Sequence, residues 1–307
     1  MNFFIRLKLV LLIVFFNELY GANTIFAEKM SIGVGLDKDK NIHPDIYLPF
    51  YNWSENFYSS VEYRTSKYIH NGTINSLNTF YQDNVINHKS LRLYIINYKF
   101  IREKYKFFIH LGLSKDEFET QSDGYILTNP SKTDVTNNIN FTANSSIIQS
   151  GIVFKDTLGL DIRFGLTVFP TPKLIAKQNT KINSLSKLEI TGESSKYSST
   201  SYELNANFLY KTNYIFNFGF DVKYRFLPME YDLKILQSNG DLENVSYNVK
   251  DKLETFIFKI LWNRELFGFG YPTLSYKIEN INATNNLDKK SYFYNQNSVF
   301  FGLETDF

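Results

Sequence analysis

The feature that most limits how this 307-residue chain can fold is a period-two alternation of apolar and polar residues. In residues 216–226, every even position is Phe, Val or Tyr, and the odd positions carry Asn, Gly, Asp, Lys and Arg. Successive side chains of a β-strand point to opposite faces, whereas helical spacing would mix the two sets. Residues 107–113, 160–168 and 202–210 repeat the pattern. We therefore predict an all-β chain.

Composition excludes several other classes of protein. Aromatic residues make up 17% of the chain, yet its mean hydropathy is −0.26, which indicates alternation rather than apolar blocks. The absence of Cys excludes disulfide scaffolds and thiolate zinc sites. A net charge of +2 argues against a nucleic-acid partner. Beyond the first segment there is no apolar run of about 18 residues, so membrane-spanning helices are not expected.

The first residues have the pattern of an export signal. Arg6 and Lys8 precede the apolar stretch 9–16, and small residues stand at Ala22 and Ala27. This stretch is too short to span a bilayer, and the order of basic, apolar and small residues is typical of a secretory signal. We predict a signal peptide over residues 1–27 and a mature chain over residues 28–307.

The connections between the predicted strands alternate in length. Short turns fall at 102–104, 156–159, 211–213 and 263–265, and long polar segments, interpreted as loops, cover 67–89, 114–144, 171–198, 227–248 and 277–291. This alternation places every long loop at one end of the sheet, as in bacterial outer-membrane barrels. We predict a transmembrane, antiparallel, up-and-down β-barrel of about twelve strands with both termini in the periplasm. Pro49 and Pro272 fall inside proposed strands, where we expect bulges or strand ends.

A soluble β-sandwich or lipocalin-like barrel would alternate in the same way, with the opposite placement of its faces. In such a fold the apolar residues of 216–226 would point inward, and Asp221, Lys223 and Arg225 would point to solvent. The direction of this one strand therefore distinguishes the two architectures.

The end of the chain carries a more specific motif. Val299, Phe301, Leu303 and the terminal Phe307 share one face of a final strand that contains Gly302. This resembles the C-terminal assembly signal of Gram-negative, porin-like outer-membrane β-barrels, with Thr305 departing from its usual apolar residue. The resemblance implies assembly by the barrel-assembly machinery, and Phe301, Gly302, Leu303 and Phe307 as the signal residues. No specific family is recognised along the body of the chain.

An outward apolar face would leave charged side chains of both signs in the lumen. Two arrangements are open: the charges pair across the lumen and nearly close it, or they line a narrow aqueous passage. The segment 114–144 is the loop most able to fold inward. We favour a narrow passive pore for small hydrophilic solutes or ions, with pore-lining candidates Asp161, Arg163, Glu203, Asp221, Lys223, Arg225 and Lys259.

Two other functions stay open. One is a non-conducting surface barrel whose polar loops bind a partner or a surface. The other is a lipid-modifying enzyme, because the spacing of His88 and Ser90 resembles that of the catalytic His and Ser in outer-membrane phospholipase, although the residues after Ser90 differ. We assign no catalytic residues, metal site or cofactor. The expected partners are outer-membrane lipid, lipopolysaccharide and, during biogenesis, the barrel-assembly machinery, with no nucleic acid.

Overall fold

The structure, a computed structural model, describes residues 30–54, 57–76, 79–102, 105–128, 131–156, 159–183, 188–236, 242–264, 266, 270–285 and 290–304. The predicted signal segment 1–27 and Phe307 lie outside these residues. The described chain contains fourteen strands: β1 (Ser31–Asp37), β2 (Ile42–Ser54), β3 (Phe57–Ser76), β4 (Thr79–Arg102), β5 (Tyr105–Thr128), β6 (Ser131–Lys155), β7 (Leu160–Phe169), β8 (Lys173–Asn183), β9 (Leu188–Tyr197), β10 (Ser201–Tyr210), β11 (Phe216–Leu236), β12 (Leu242–Trp262), β13 (Tyr271–Asn285) and β14 (Lys290–Glu304).

Twelve of these strands close into an antiparallel barrel. The ring runs from β1 through β7, continues with β10 through β14, and closes where β14 pairs with β1, for example Gly302 with Gly33. The prediction of an antiparallel barrel of about twelve strands is confirmed. We call the end that contains Met30 and Glu304 the near end, and the opposite end the far end.

The other two strands extend the ring toward the far end. β6 pairs with β7 over residues 148–155 and with β8 over residues 134–144, so β7 and β8 together follow one long strand. Pro170 and Pro172 stand between them, where proline cannot donate a ladder hydrogen bond. β9 and β10 form the returning strand, and the backbone N–H of Ser198 between them donates to the Pro172 carbonyl at 2.8 Å.

In the half of the barrel next to the near end, the apolar side chains of the strands point outward, away from the lumen. On β11, Phe218 is 51% exposed, whereas Asp221 and Arg225 are each 5% exposed. This confirms the predicted direction of the 216–226 face and excludes the soluble alternative, in which the apolar side chains would pack inside. We call the outward ring of exposed apolar side chains the belt; it includes Leu36, Leu93, Phe107, Ile109, Leu113, Ile148, Phe164, Leu204, Phe218, Phe258, Tyr276, Val299 and Phe301.

The long polar segments are strands, so the prediction of long loops is wrong. β5 and β6 pair without interruption from Tyr105 with Phe154 to Thr128 with Ser131, which places almost all of 114–144 in one hairpin. This segment therefore does not fold into the lumen. The reason is local: the backbone groups of this segment are satisfied by the β5–β6 ladder, and its side chains alternate between the outward and the inward face of the hairpin.

Beyond the belt, the pattern is reversed: the inward face of the strands is apolar and the outward face is polar. On β11, Leu227, Met229, Tyr231 and Leu233 are buried, with exposures of 2–9%, and the alternate positions include Glu230, Asp232 and Lys234. The same exchange occurs on β5, where Lys115 is exposed and Phe118 is buried. Side chains that face water must be polar, so an apolar interior forms where the outward face leaves the belt. We call this apolar interior the far chamber.

The far half is closed partly by side chains. The β1–β2 hairpin is short, and beyond it β3 approaches β14, where Gln296 Oε1 accepts from the Lys67 backbone N–H at 2.5 Å. Between β9 and β11 the described residues show no backbone ladder. Instead, backbone N–H groups at positions 230, 232 and 234 donate to side-chain oxygens at 2.9–3.2 Å, on Ser198, Ser194 and Gln178 respectively.

The two prolines behave as expected. The pairing of β2 with β3 shifts register between Pro49 and Tyr51, which is a bulge, and Pro272 is the second residue of β13. Among the described residues there is no helix with the length and hydropathy needed to cross a membrane.

Candidate functional site: a charged layer and an apolar chamber

Within the belt, the lumen is filled by a layer of paired charges. The core of this layer is Arg92 on β4, whose guanidinium makes a two-pronged contact with Glu203 on β10, one nitrogen donating to Oε1 at 2.8 Å and the other to Oε2. Glu62 on β3 lies 3.8 Å from Arg92 and accepts from Tyr94 Oη at 3.2 Å. Arg92, Glu203 and Glu62 are each about 5% exposed.

The layer reaches across the barrel. Lys223 on β11 approaches Glu62 on β3 to 3.8 Å, and these two strands stand opposite each other in the twelve-strand ring. Arg64 contacts the same Glu62 at 2.5 Å and Asp45 at 3.2 Å. Ion pairs that span the lumen leave little free volume, and the cavity between these side chains is about 130 Å³.

A second group of pairs lies along β12 to β14. Lys259 contacts Asp221 at 2.7 Å and Glu304 at 3.0 Å. Lys277, which is 1% exposed, contacts Glu279 at 3.0 Å and Asp45 at 3.7 Å. Each buried charge in this group therefore has a partner of opposite sign, as low-polarity surroundings require.

The structure places all seven predicted pore-lining residues on inward positions, though at several levels. Asp161 contacts Lys211 at 3.4 Å close to the near end. Arg225, by contrast, contacts Asp116 at 2.8 Å and stacks on the Phe169 ring, with its guanidinium carbon 4.2 Å from the ring centroid. These candidates therefore do not form one ring at a single level of the lumen.

Some residues of the layer were missed by the sequence reasoning. Arg92, Asp116 and Lys277 are buried and ion-paired, yet none was singled out. The signal for Arg92 was present, since it alternates with the exposed Leu91 and Leu93 of the belt. A charged residue between two outward apolar residues on a strand must point into the lumen.

The far chamber contains the main apolar cavity beyond the charged layer. The volume of this cavity is about 220 Å³, and its walls come from eight strands, β3–β6 and β11–β14. Tyr231 stands on one wall, with its ring 4.7 Å from that of Phe141 and 5.1 Å from that of Tyr247. Leu233, Val249, Leu253 and Ile281 complete the apolar lining.

A histidine lies at the boundary between layer and chamber. The His88 ring stacks on Phe118 with 4.2 Å between ring centroids, and its Nε2 lies 3.2 Å from Asp116 Oδ1. Ser90 is also inward and 6% exposed. The polar contact described for His88 is therefore with Asp116 rather than with Ser90, which gives no support to a base and nucleophile pair.

One acidic residue lies inside the far chamber. Asp251 is 7% exposed and lines the cavity, and its Oδ1 accepts from the Thr284 backbone N–H at 3.1 Å. It stands between Lys250 and Lys252, both exposed on the outer face beyond the belt. Burial raises the pKa of Asp251 to about 7, and the Thr284 N–H opposes that rise. Burial also raises the pKa values of Tyr231 and Tyr294 in the same chamber.

The described part of the final strand places Phe301 outward and Gly302 close to the neighbouring strand β1. Phe301 is 62% exposed in the belt, and Gly302 pairs with Gly33 so closely that an added Cβ would lie 2.4 Å from the Ile32 carbonyl oxygen. Leu303 pairs with Ile32. The role of Phe301, Gly302, Leu303 and Phe307 in assembly stays a prediction. No group of three or more His, Cys, Asp or Glu residues that could hold a metal occurs in the described ranges.

Comparison with known proteins gives no family. No family model matches the chain, and no curated protein matches it. Among solved structures, the chain is similar to the Pseudomonas putida toluene transporter TodX, with TM-score 0.48, 10% identity and coverage of 91% of this chain and 89% of that one. It is also similar to the CymD monoaromatic hydrocarbon channel, with TM-score 0.46, 10% identity and coverage of 91% of this chain and 87% of that one. A Pseudomonas aeruginosa FadL homologue is similar as well, with TM-score 0.43, 6% identity and coverage of 90% of this chain and 88% of that one.

Proposed function

We propose that this chain is a bacterial outer-membrane barrel that takes small, largely apolar molecules into the far chamber and passes them through the charged layer. The observation that carries the proposal is the exchange of faces beyond the belt, which creates an apolar cavity on the water side of the barrel. An apolar cavity of about 150 Å³ is already large enough to bind benzene. The far chamber, at about 220 Å³, has room for a molecule of that class.

The belt supports the membrane location. On β5 its apolar side chains extend from Tyr105 to Leu113, which is about 26 Å along the strand, or about 20 Å of depth at a tilt of about 40°. Tyr105, Tyr210 and Trp262 are exposed at its near end, as in the aromatic girdles of such barrels. We place the near end in the periplasm, because the strands end close to the edge of the belt there, whereas at the far end hairpins such as β5–β6 extend well beyond it, as the outer extensions of such barrels do.

The partners follow from this placement. Membrane lipid and lipopolysaccharide would surround the belt, and the barrel-assembly machinery would engage β14 during biogenesis. These partners remain proposals.

A narrow passive pore for small hydrophilic solutes or ions is the second candidate. The cavity of about 130 Å³ between the charged side chains favours it, because water and small ions fit into such a space. The two candidates differ in which solute is held. Apolar molecules bind in the far chamber, whereas ions need only the charged layer.

The experiment places a tryptophan side chain inside the far chamber and compares this variant with one that carries a tryptophan at the neighbouring, outward position. Val249 lines the cavity, and Asn248 is exposed on the opposite face of β12. With the purified barrel in detergent, Val249→Trp should weaken binding of a small aromatic probe such as indole at least tenfold, measured by calorimetry, while Asn248→Trp leaves it unchanged. Ion conductance of both variants is then recorded in a planar bilayer.

Three outcomes separate the candidates. Loss of indole binding in Val249→Trp alone supports uptake through the chamber. Absence of indole binding in the parent protein together with regular conductance steps would replace it with the hydrophilic pore. Absence of both would favour a non-conducting surface barrel.

A further inference from the structure

The far chamber contains a single buried carboxylate among aromatic rings. Asp251 is only 7% exposed. Within the described residues, no Lys, Arg or His nitrogen lies within 4.0 Å of its carboxylate. Its polar contact is the Thr284 backbone N–H, which bonds one of the two carboxylate oxygens. A carboxylate has about four acceptor sites, so this contact leaves most of its capacity directed at the cavity.

Other buried acids of the barrel differ from Asp251 in this respect. Among the described residues, each has a basic side chain in contact, for example Arg92 for Glu203, Arg225 for Asp116 and Lys277 for Glu279. Removing a carboxylate from water without a counter-charge is costly, and the cost is avoided by binding a proton or a cation. In the described part of the chain, no cationic side chain contacts Asp251, so a bound proton or an external cation must fill this role.

The surrounding charges do not supply a counter-charge. On its own strand, Lys250 and Lys252 face outward, and the outward carboxylate of Asp232 on β11 bonds Lys196 and Ser246. Toward the charged layer, Arg225 is paired with Asp116, and Lys277 with Glu279. Tyr231 and Tyr294 face Asp251 in the chamber. Two histidines lie behind its wall: the His70 ring is 5.4 Å from that of Tyr294, and the His88 ring is 4.2 Å from that of Phe118.

Tyrosine rings form part of the wall of the cavity that contains this carboxylate, together with aliphatic side chains. Five tyrosines line the cavity, namely Tyr81, Tyr231, Tyr247, Tyr292 and Tyr294. The faces of aromatic rings attract cations, and cages of such rings recognise quaternary ammonium groups. A carboxylate inside an aromatic wall therefore combines the two features that select an organic cation over a neutral molecule of the same shape.

We propose that the far chamber is a binding site for a small organic cation, a quaternary ammonium or protonated amine with an apolar body, with Asp251 as its counter-ion. The inference rests on the proposed function, since it names the class of molecule that the chamber receives. The methyl groups of such a ligand contact the tyrosines and the aliphatic lining. Its nitrogen lies beside the carboxylate.

The test uses two probes that differ only in charge. Choline and 3,3-dimethylbutan-1-ol have the same shape, with a quaternary nitrogen in one and a carbon in the other. Calorimetry on the purified barrel in neutral detergent at pH 8 should show choline binding at least tenfold more tightly than the alcohol. Asp251→Asn should abolish this preference and leave the affinity for the alcohol within threefold, which also shows that the chamber of the variant is folded.

The pH profile and a matched variant sharpen the test. Because the pKa of Asp251 is about 7, its ionised fraction rises about tenfold between pH 6 and pH 8, and choline affinity should rise by the same factor. Choline carries a permanent charge, so this change belongs to the protein. Asp232→Asn removes an acid from the outer face of the far half and should leave both affinities unchanged.

The outcomes separate this inference from the proposed function. Equal binding of the two probes in the parent protein would overturn the cation site and leave the apolar chamber standing. Binding of neither probe, and of no indole, would overturn both. A choline preference that survives in Asp251→Asn would also overturn the assignment of Asp251.

Discussion

Replacing Arg92 should destabilise the barrel more than any exposed charge does. Its guanidinium bonds both oxygens of Glu203 and lies 3.8 Å from Glu62, with all three side chains at most 8% exposed. Arg92→Met keeps a similar volume and removes the cation that contacts Glu203, while Glu62 keeps its contacts with Arg64 and Lys223. Breaking a buried pair from one side typically costs about 3–5 kcal/mol, and we expect a loss in that range.

The measurement is equilibrium unfolding by urea in short-chain lipid vesicles, followed by tryptophan fluorescence. Lys177→Met is the control, because Lys177 and Glu193 are 3.8 Å apart and each 63% exposed, and an exposed pair contributes at most about 1 kcal/mol. The double variant Arg92→Met with Glu203→Met should regain much of the lost stability, since no carboxylate of that pair remains. A loss for Arg92→Met no larger than that for Lys177→Met would refute the account of the charged layer.

Three further predictions concern other parts of the chain. The folded-state pKa of Asp251 is raised from 3.8 to about 7, so its protonated form stabilises the far half. This contribution to the free energy of unfolding, about 4 kcal/mol, is complete below about pH 4 and is lost as pH rises through 7. It should vanish from the pH-dependent unfolding curves of Asp251→Asn. Gly112→Ala should lower the unfolding free energy by about 1–3 kcal/mol, because its Cβ would lie 2.0 Å from the Leu93 carbonyl oxygen, whereas Gly192→Ala meets no atom closer than 3.5 Å and should be nearly neutral. Phe307→Ala should reduce the amount of barrel in the outer membrane of cells with normal assembly machinery far more than it reduces the stability of assembled molecules, and equal surface amounts would show that Phe307 is no assembly signal.

Much of the belt could be predicted because one local rule governs it. On 216–226, strand geometry alone separates the apolar from the charged residues, and the structure confirms which side faces outward. The far half was misread although it obeys the same rule. After Phe226 the apolar residues move from even to odd positions, beginning with the adjacent Leu227. This change of parity in an unbroken alternation was the available signal, and it was read as the start of a loop.

The pairing of charges could not be read from the alternation. Arg92 and Glu203 are 111 residues apart in sequence, and their contact depends on which strands face each other across the lumen. That geometry follows from the closure of β14 on β1 and from the stagger of all the strands between them. Alternation fixes the face of a residue, but not its height in the barrel or its partner across it.

The edge of the belt itself argues for a planar surrounding phase. On β4 the belt extends as far as Leu91, which pairs with Lys115, whereas on β5 the belt extends only as far as Leu113. Leu113 in turn pairs with Ser146 of β6, where the belt extends only as far as Ile148. The same step recurs where Ile278 of β13 pairs with Asn297 of β14. Each step is two residues toward the near end, in the same direction around the ring. Strands that tilt by about 40° need such an offset to keep an edge level, on the order of one residue per strand. The last apolar position is therefore set by height above a plane rather than by position along each strand, as expected for a wall that leaves a bilayer and enters water.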